Sequence, residues 1–369
     1  MSRTLVPQLP DYHGPCVSGL VPSLLGPGGT ERLPAWFPEP VRGARQVVLL
    51  VLDGLGWAQL RAAGAAAPVL SGMAGGPISS VVPSTTATAL TSITTGLAPG
   101  EHGIVGYRML VRGEVLNTLR WASASGDARL RISPHRLQPV RPFLGASVPV
   151  VTRAEFAATG FTDAHLAGVR HIGYRVLSSL AVGVRQALAA GDRFVYAYYD
   201  GVDKVAHEYG LGEHHAAEVV AVDRLVGDLL AALPPGAALL VTADHGQVDV
   251  GERVLPLDRE LLGLVRRQSG EGRFRWLHAV PGAAAELRAA ATERFADVAW
   301  VVDVAEVESA GWFGPMTPPV RARLGDVALV ASAPVSFEDP DDSGPFRLVS
   351  RHGSLTPAEM DVPLLAGVG

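Results

Sequence analysis

Cysteine is almost missing from this chain: Cys16 stands alone among 369 residues. That excludes an internal disulfide and any thiolate metal cluster, so a bound metal would have to rest on oxygen and nitrogen ligands. No apolar run reaches the roughly eighteen residues that a membrane-spanning helix needs. The N-terminal stretch is broken by Pro7, Pro10, Pro15 and Pro22 and has no apolar run of signal-peptide length. A cytoplasmic protein without membrane attachment is therefore expected. Long Lys/Arg runs are missing as well, and the formal net charge is −5, which argues against a nucleic-acid polymer as partner. No internal repeat is visible.

What is present is an ordinary globular composition, 48% hydrophobic and 18% charged. The length exceeds what one core usually fills, so one large domain with a smaller insertion is expected. The 42 glycines and 28 prolines are scattered through apolar segments and imply many tight loops.

Several apolar runs stop at acidic residues. Gln46–Leu52 reads as a doubly buried parallel strand ending at Asp53, and a helix follows over Trp57–Ala66. Ile78–Val82 reads as a second strand ending at Pro83, and Ser84–Thr95 as a helix stopped by Gly96. Tyr174–Ala190 reads as a helix, and Phe194–Tyr199 as a strand ending near Asp200 and Asp203. Residues 214–233 show a helical apolar face, and Ala237–Thr242 is a buried strand ending at Asp244 and His245. Strand-then-helix alternation predicts an α/β fold whose parallel sheet gathers these carboxylates at one rim.

The pattern changes over 251–325. Arg273–Val280, a helix near Ala283–Phe295 and Val298–Val304 look like a small βαβ-like insertion, and Val327–Ala331 reads as a return to the main core. The expected division is an irregular lead-in over 1–44, a core over 45–250 and 326–369, and an inserted α+β unit over 251–325.

Asp and His are rare beside buried strands unless something binds them. Asp203 and His207 share one face if the segment is helical, and Asp244, His245 and His352 recur in comparable settings. Carboxylates and imidazoles without thiolates suit divalent ions, zinc first and manganese second. Asp53 gains weight only by sharing the rim. Thr86 stands at a helix start, where amide N–H groups favour a phosphoryl group and a nearby metal makes an alkoxide reachable. Thr85, Thr88 and Thr91 read as caps and helix-surface residues. His102 reads as a structural hydrogen-bonder, and His165, His215 and His278 as surface or local structure.

Taken in order, Asp53, Pro83-x-x-Thr86, Thr95-Gly96, Glu101-His-Gly103, Asp203-x-x-x-His207, Asp244-His245-Gly246 and His352-Gly353 resemble the alkaline phosphatase superfamily. The nearest branch is the type I phosphodiesterase/nucleotide pyrophosphatases, and the resemblance spans about 46 to 353. It implies a central, mostly parallel sheet flanked by helices. It also implies two divalent ions, one on Asp203, His207 and His352, the other on Asp53, Asp244 and His245. Thr86 would bridge towards the second as nucleophile and pass through a phospho-threonine intermediate. The implied substrate is a small phosphate ester, nucleotide-type diesters and pyrophosphates foremost. Tyr107 stands where eukaryotic-type members place an asparagine that binds a phosphoryl oxygen. A phosphate monoesterase or phosphonate hydrolase, a phosphomutase and a non-catalytic metal-binding protein are the alternatives. Arg108, Arg112, Arg120 and Arg351 are candidates for the extra charge of a monoester.

Overall fold

The computed structural model describes residues 6–342 and 347–369. Its main sheet has seven strands: β1 (Gln46–Leu52), β2 (Ala74–Ser79), β3 (Pro149–Arg153), β4 (Arg170–Tyr174), β5 (Phe194–Tyr199), β6 (Ala237–Thr242) and β11 (Asp361–Val368). Between the last two in sequence lies a smaller sheet of β7 (Val265–Glu271), β8 (Phe274–Ala279), β9 (Ala299–Asp303) and β10 (Val327–Ala331). The main sheet is ordered β2-β11-β6-β1-β5-β3-β4. The run from β6 to β4 is parallel, whereas β11 runs antiparallel to both its neighbours.

The continuous apolar runs occupy the middle of this sheet because only there are both faces covered. Every residue of β5 and β6 is buried. β1 lies between them, with Val51 opposite Thr242 and Leu52 opposite Tyr199, so three neighbouring strands end at the same level. The acidic residues that follow therefore share one rim.

Two strand expectations are corrected. The second strand begins earlier than Ile78 and ends at Ser79; Val81 and Val82 are buried beyond its end. Val327–Ala331 is a buried strand but does not return to the main sheet. It pairs antiparallel with β8 and β9, and the chain rejoins the main sheet only at β11. The small sheet is ordered β7-β8-β10-β9, so β8, the helix Ala284–Phe295 and β9 form the expected crossover, with β10 threaded between the two strands.

A buried ion pair fastens this sheet to the main body. Arg273 grips Glu359 with Nε–Oε1 at 2.7 Å and Nη2–Oε2 at 2.8 Å, both side chains fully buried. Arg273 also donates to the carbonyls of Ala333 and Val335, and Glu359 accepts from Ser354 N and Thr356 Oγ1. A third, antiparallel sheet over residues 108–127 lies against the small one.

The lead-in, described from residue 6, is less irregular than expected. It holds a short helix, Leu20–Leu25, and Cys16, Val17, Leu20 and Val21 are wholly buried. The helix Thr86–Thr95 is buried at all ten positions, which corrects the expected surface role of Thr88 and Thr91. Three of its hydroxyls are absorbed within the helix, Thr91, Thr94 and Thr95 donating to the carbonyls of Ala87, Leu90 and Thr91, whereas Thr88 Oγ1 is buried without a partner. Among the described residues no helix is long and apolar enough to cross a membrane.

Candidate active site

Asp53 follows β1, Asp203 lies in the first turn of the helix Gly201–Tyr209 after β5, and Asp244 and His245 follow β6. Gly54 makes this convergence possible. Its φ is +75°, and a Cβ there would come within 3.0 Å of Asp203 and of Gln247. His352 arrives from the far end of the chain, held by a β-bridge between Ser84 and Gly353.

The three imidazoles share one arrangement. Each Nδ1 faces a backbone carbonyl: His207 that of Ser350 at 2.7 Å, His352 that of Ser84 at 3.0 Å, His245 that of Gly246 at 3.1 Å. A carbonyl only accepts, so each Nδ1 carries the proton and each Nε2 presents a lone pair. Those lone pairs point at carboxylates. His245 Nε2 is 3.4 Å from both Asp53 Oδ1 and Asp244 Oδ2, and His207 Nε2 is 3.3 Å from Asp203 Oδ1. His352 Nε2 lies 3.9 Å from the same Asp203 oxygen, and its ring stacks on His245 at 3.6 Å.

Asp53 Oδ1 and Asp244 Oδ2 are buried without a hydrogen-bond donor. Burial, then the Asp244 and Asp203 carboxylates, pushes Asp53 well above the usual carboxylate range. Burial likewise raises Asp203 and Asp244 and lowers His245 and His352, which keeps the rings neutral. Acceptor facing acceptor in a buried space is costly unless a cation lies between them. The donor set fits divalent metal. Asp53, Asp244 and His245 present ligand atoms within 4.8 Å of one another, and so do Asp203, His245 and His352. His207 stands beside this second group through its contact with Asp203.

Thr86 opens the helix Thr86–Thr95, and its Oγ1 lies 3.1 Å from His245 Nε2. Thr85 is the residue before the helix and is also buried, but its hydroxyl makes no capping bond. His102 is structural as expected, with Nε2 2.8 Å from Ser92 Oγ and Nδ1 accepting from Ile104 N. Tyr107 lines a groove that also contains Thr86, and its hydroxyl accepts from Asn117 Nδ2 at 2.6 Å. Thr86 also lines a mostly apolar cavity of about 220 Å³, walled by Leu90, Phe156 and Phe161. His165 lines it too, buried and stacked on Phe161 with Nδ1 on the Phe161 carbonyl at 2.7 Å, which is the local structural role rather than the surface one.

Three participants carry no sequence signal of their own. The Tyr198 hydroxyl donates to Asp53 Oδ2, and burial beside that carboxylate pushes the phenol up, so it stays a donor. Gln247 donates to Asp203 Oδ1 at 2.5 Å and accepts from Ser350 Oγ; its place just after Asp244-His245-Gly246 was the one available hint. Glu271, at the end of β7, brings Oε2 within 3.6 Å of His352 Nδ1. Such outer contacts orient ligands. Tyr198→Phe is expected to weaken divalent-metal binding by about 10- to 100-fold, as a metal-buffer titration would read. Unchanged affinity would remove Tyr198 from the site.

A sequence model of type I phosphodiesterase/nucleotide pyrophosphatase matches residues 47–354. No curated protein sequence matches. Among solved structures, murine ectonucleotide pyrophosphatase/phosphodiesterase 5 is similar at 18% identity, with 88% of each chain covered and a TM-score of 0.65. The same mouse protein in a threonine-to-alanine form described as inactive, in complex with AMP, aligns at 17% identity over 88% of each chain with a TM-score of 0.66. Phosphonoacetate hydrolase from Sinorhizobium meliloti 1021, in complex with phosphonoformate, aligns at 19% identity, covering 88% of this chain and 90% of that one, with a TM-score of 0.65. At these identities the structural likeness speaks for the fold. The match over 47–354 carries the assignment further: this chain belongs to the type I phosphodiesterase/nucleotide pyrophosphatase family of the alkaline phosphatase superfamily, whose members are metal-dependent hydrolases.

Proposed function

We propose that the protein hydrolyses phosphodiester or pyrophosphate bonds of small substrates, nucleotide-type compounds foremost, with Thr86 as the nucleophile. The observation that carries this reading is the set of three Nε2 lone pairs aimed at carboxylate oxygens, with the Thr86 hydroxyl 3.1 Å from one of them. Asp53, Asp244 and His245 would hold one divalent ion, and Asp203, His207 and His352 the other; zinc suits this oxygen and nitrogen set, with manganese second. Such ions supply charge neutralisation for attacking and leaving oxygens and lower the pKa of a nearby hydroxyl.

The chain's own groups do the rest. The first-turn amides of the helix Thr86–Thr95 offer N–H donors to the non-bridging phosphoryl oxygens. Thr86 Oγ forms a bond to phosphorus as the bond to the leaving oxygen breaks, and that oxygen takes a proton. Water then attacks the phospho-threonine, the P–Oγ bond breaks, and the threonine hydroxyl is restored. The apolar cavity beside Thr86 suits an uncharged organic group of the substrate.

The test is hydrolysis of bis(p-nitrophenyl) phosphate, p-nitrophenyl phosphate and the p-nitrophenyl ester of thymidine 5′-monophosphate, with added zinc or manganese and after chelation. Metal-dependent preference for the diesters is expected. Preference for the monoester would move the protein to the phosphatase alternative. Metal-loaded protein inactive on all three would sink the diesterase reading and favour a phosphonate, mutase or binding role.

A further inference from the structure

Of the four arginines that could serve an anionic substrate, Arg120 and Arg351 line the groove that contains Thr86, and Arg108 is buried on Asp339. Arg112 lies away from the site. With Arg136 and Arg323 it lines a separate pocket of about 400 Å³, which shares no residue with the groove or with the apolar cavity at Thr86. The rest of the wall includes Leu110, Val111, Ile132 and Leu137. No carboxylate lines this pocket among the described residues.

Each of the three guanidiniums lacks a counter-charge. Arg323 is half-buried, in room left by the absent side chain of Gly103. It donates to the Gly103 carbonyl and, at 3.4 Å, to that of Leu137, at the ends of the short helices Pro99–His102 and Pro134–Leu137. Burial pushes it down to about 10 and no carboxylate offsets that shift, so a partly desolvated cation remains at neutral pH. Arg136, on the second of those helices, is exposed and makes no side-chain hydrogen bond or ion pair among the described residues. Arg112 opens the two-residue turn between Arg108–Val111 and Glu114–Asn117, with φ at +51°. Asn, Asp or Gly suits that position, and an arginine there strains the backbone. Its side chain meets only the Arg131 carbonyl, at 2.8 Å. The nearby carboxylates are committed elsewhere: Glu114 to Arg131 at 3.2 Å and to Ser123, and Glu308 to Arg321 at 2.8 Å.

Uncompensated guanidiniums around one pocket call for an anion, and their forks suit carboxylate, sulfonate and phosphate oxygens alike. The buried side chains of Val111, Ile132 and Leu137 beside them call for an apolar body on the same molecule. The volume falls within the range of about 300–1,000 Å³ usual for small-molecule pockets. We propose that this pocket binds a small organic anion, its charged group held by Arg112, Arg136 and Arg323 and its apolar body laid against Leu110, Ile132 and Leu137, at a site separate from the one that holds Thr86.

The test is titration calorimetry of the metal-loaded full chain with naphthalene-2-sulfonate, an apolar body with one anionic group. Wild type is expected to bind it, and inorganic sulfate at least about tenfold more weakly, since sulfate leaves the apolar wall unused. The double variant R112Q/R136Q should weaken naphthalene-2-sulfonate at least about tenfold, the loss of roughly one charge-assisted contact. Arg136→Gln alone breaks no hydrogen bond of the fold and should weaken it severalfold, which guards against a folding defect in the double variant. The control R185Q/R224Q removes the same two charges from exposed positions on the helices Leu177–Ala189 and Glu213–Ala231 and should bind as wild type does. No binding by wild type, or equal affinity in wild type and R112Q/R136Q, overturns the site. Sulfate binding as tightly as naphthalene-2-sulfonate overturns the ligand class. An equal loss in R185Q/R224Q would reduce the effect to net charge and overturns the site as well.

Discussion

Replacing Thr86 by alanine is expected to lower turnover of diester substrates by on the order of 10³-fold or more, while zinc or manganese still binds. The carboxylates and imidazoles come from the ends of β1, β5 and β6 and from the His352 loop, none of which depends on the Thr86 hydroxyl. Ala87 and Thr88 keep their amides at the helix start, so substrate affinity should fall less than turnover. The paired variant Thr85→Ala is the control. Thr85 is also buried but lies before the helix, its side chain bonds Glu271, and no contact between its hydroxyl and His245 occurs among the described residues. If Thr85→Ala abolished turnover and Thr86→Ala did not, the nucleophile would be the other threonine.

The second large effect concerns stability. Arg273→Met leaves the Glu359 carboxylate fully buried without its bidentate partner, and removing one member of such a pair costs about 3–5 kcal/mol. Glu359 keeps two donors, Ser354 N and Thr356 Oγ1, so the lower half of that range is expected. Chemical denaturation would read it as a shifted midpoint. The double variant R273M/E359M removes the stranded charge and should recover most of the loss. A site effect is expected to accompany it. Glu359 Oε1 holds the amide of Ser354, two residues from His352, so Arg273→Met should also weaken metal binding. A double variant no more stable than R273M would show that the pair acts through something other than the buried charge.

The sheet was legible where burial is two-sided and the chain continuous. Gln46–Leu52, Phe194–Tyr199 and Ala237–Thr242 coincide with β1, β5 and β6 to the residue, because an apolar run closed by an acidic turn has few other readings. The same signal misplaces Val327–Ala331. Ala328 and Val330 pack into the main core, while Val327, Leu329 and Ala331 pack into the separate core under the helix Ala284–Phe295. A strand sandwiched between two cores is apolar on both faces without belonging to the parallel sheet. The strand Ala74–Ser79 was hidden for the opposite reason. Its Gly75, Gly76 and Pro77 have no strand preference, and pairing with β11 at the sheet edge holds them extended.

The site divides in the same way. Asp53, Asp203, Asp244 and His245 were visible because each lies next to the strand that delivers it. His352 was visible only through its Gly353 neighbour and the ordered set, since its partner Ser84 is 268 residues away. The buried Thr86–Thr95 helix misled because threonine reads as polar, while bonding back to its own helix lets it sit in a core. Tyr198, Gln247 and Glu271 needed coordinates, because their meaning lies in which atom each one faces.

The most direct test of a threonine nucleophile is the stereochemical course at phosphorus. A single diastereomer of the p-nitrophenyl ester of thymidine 5′-phosphorothioate would be hydrolysed in heavy-oxygen water by the metal-loaded protein, and the configuration of the product determined. Attack by Thr86 followed by attack of water on the phospho-threonine is two in-line displacements, each inverting phosphorus, so net retention is predicted. Net inversion would mean that water attacks the substrate directly and would contradict the covalent mechanism.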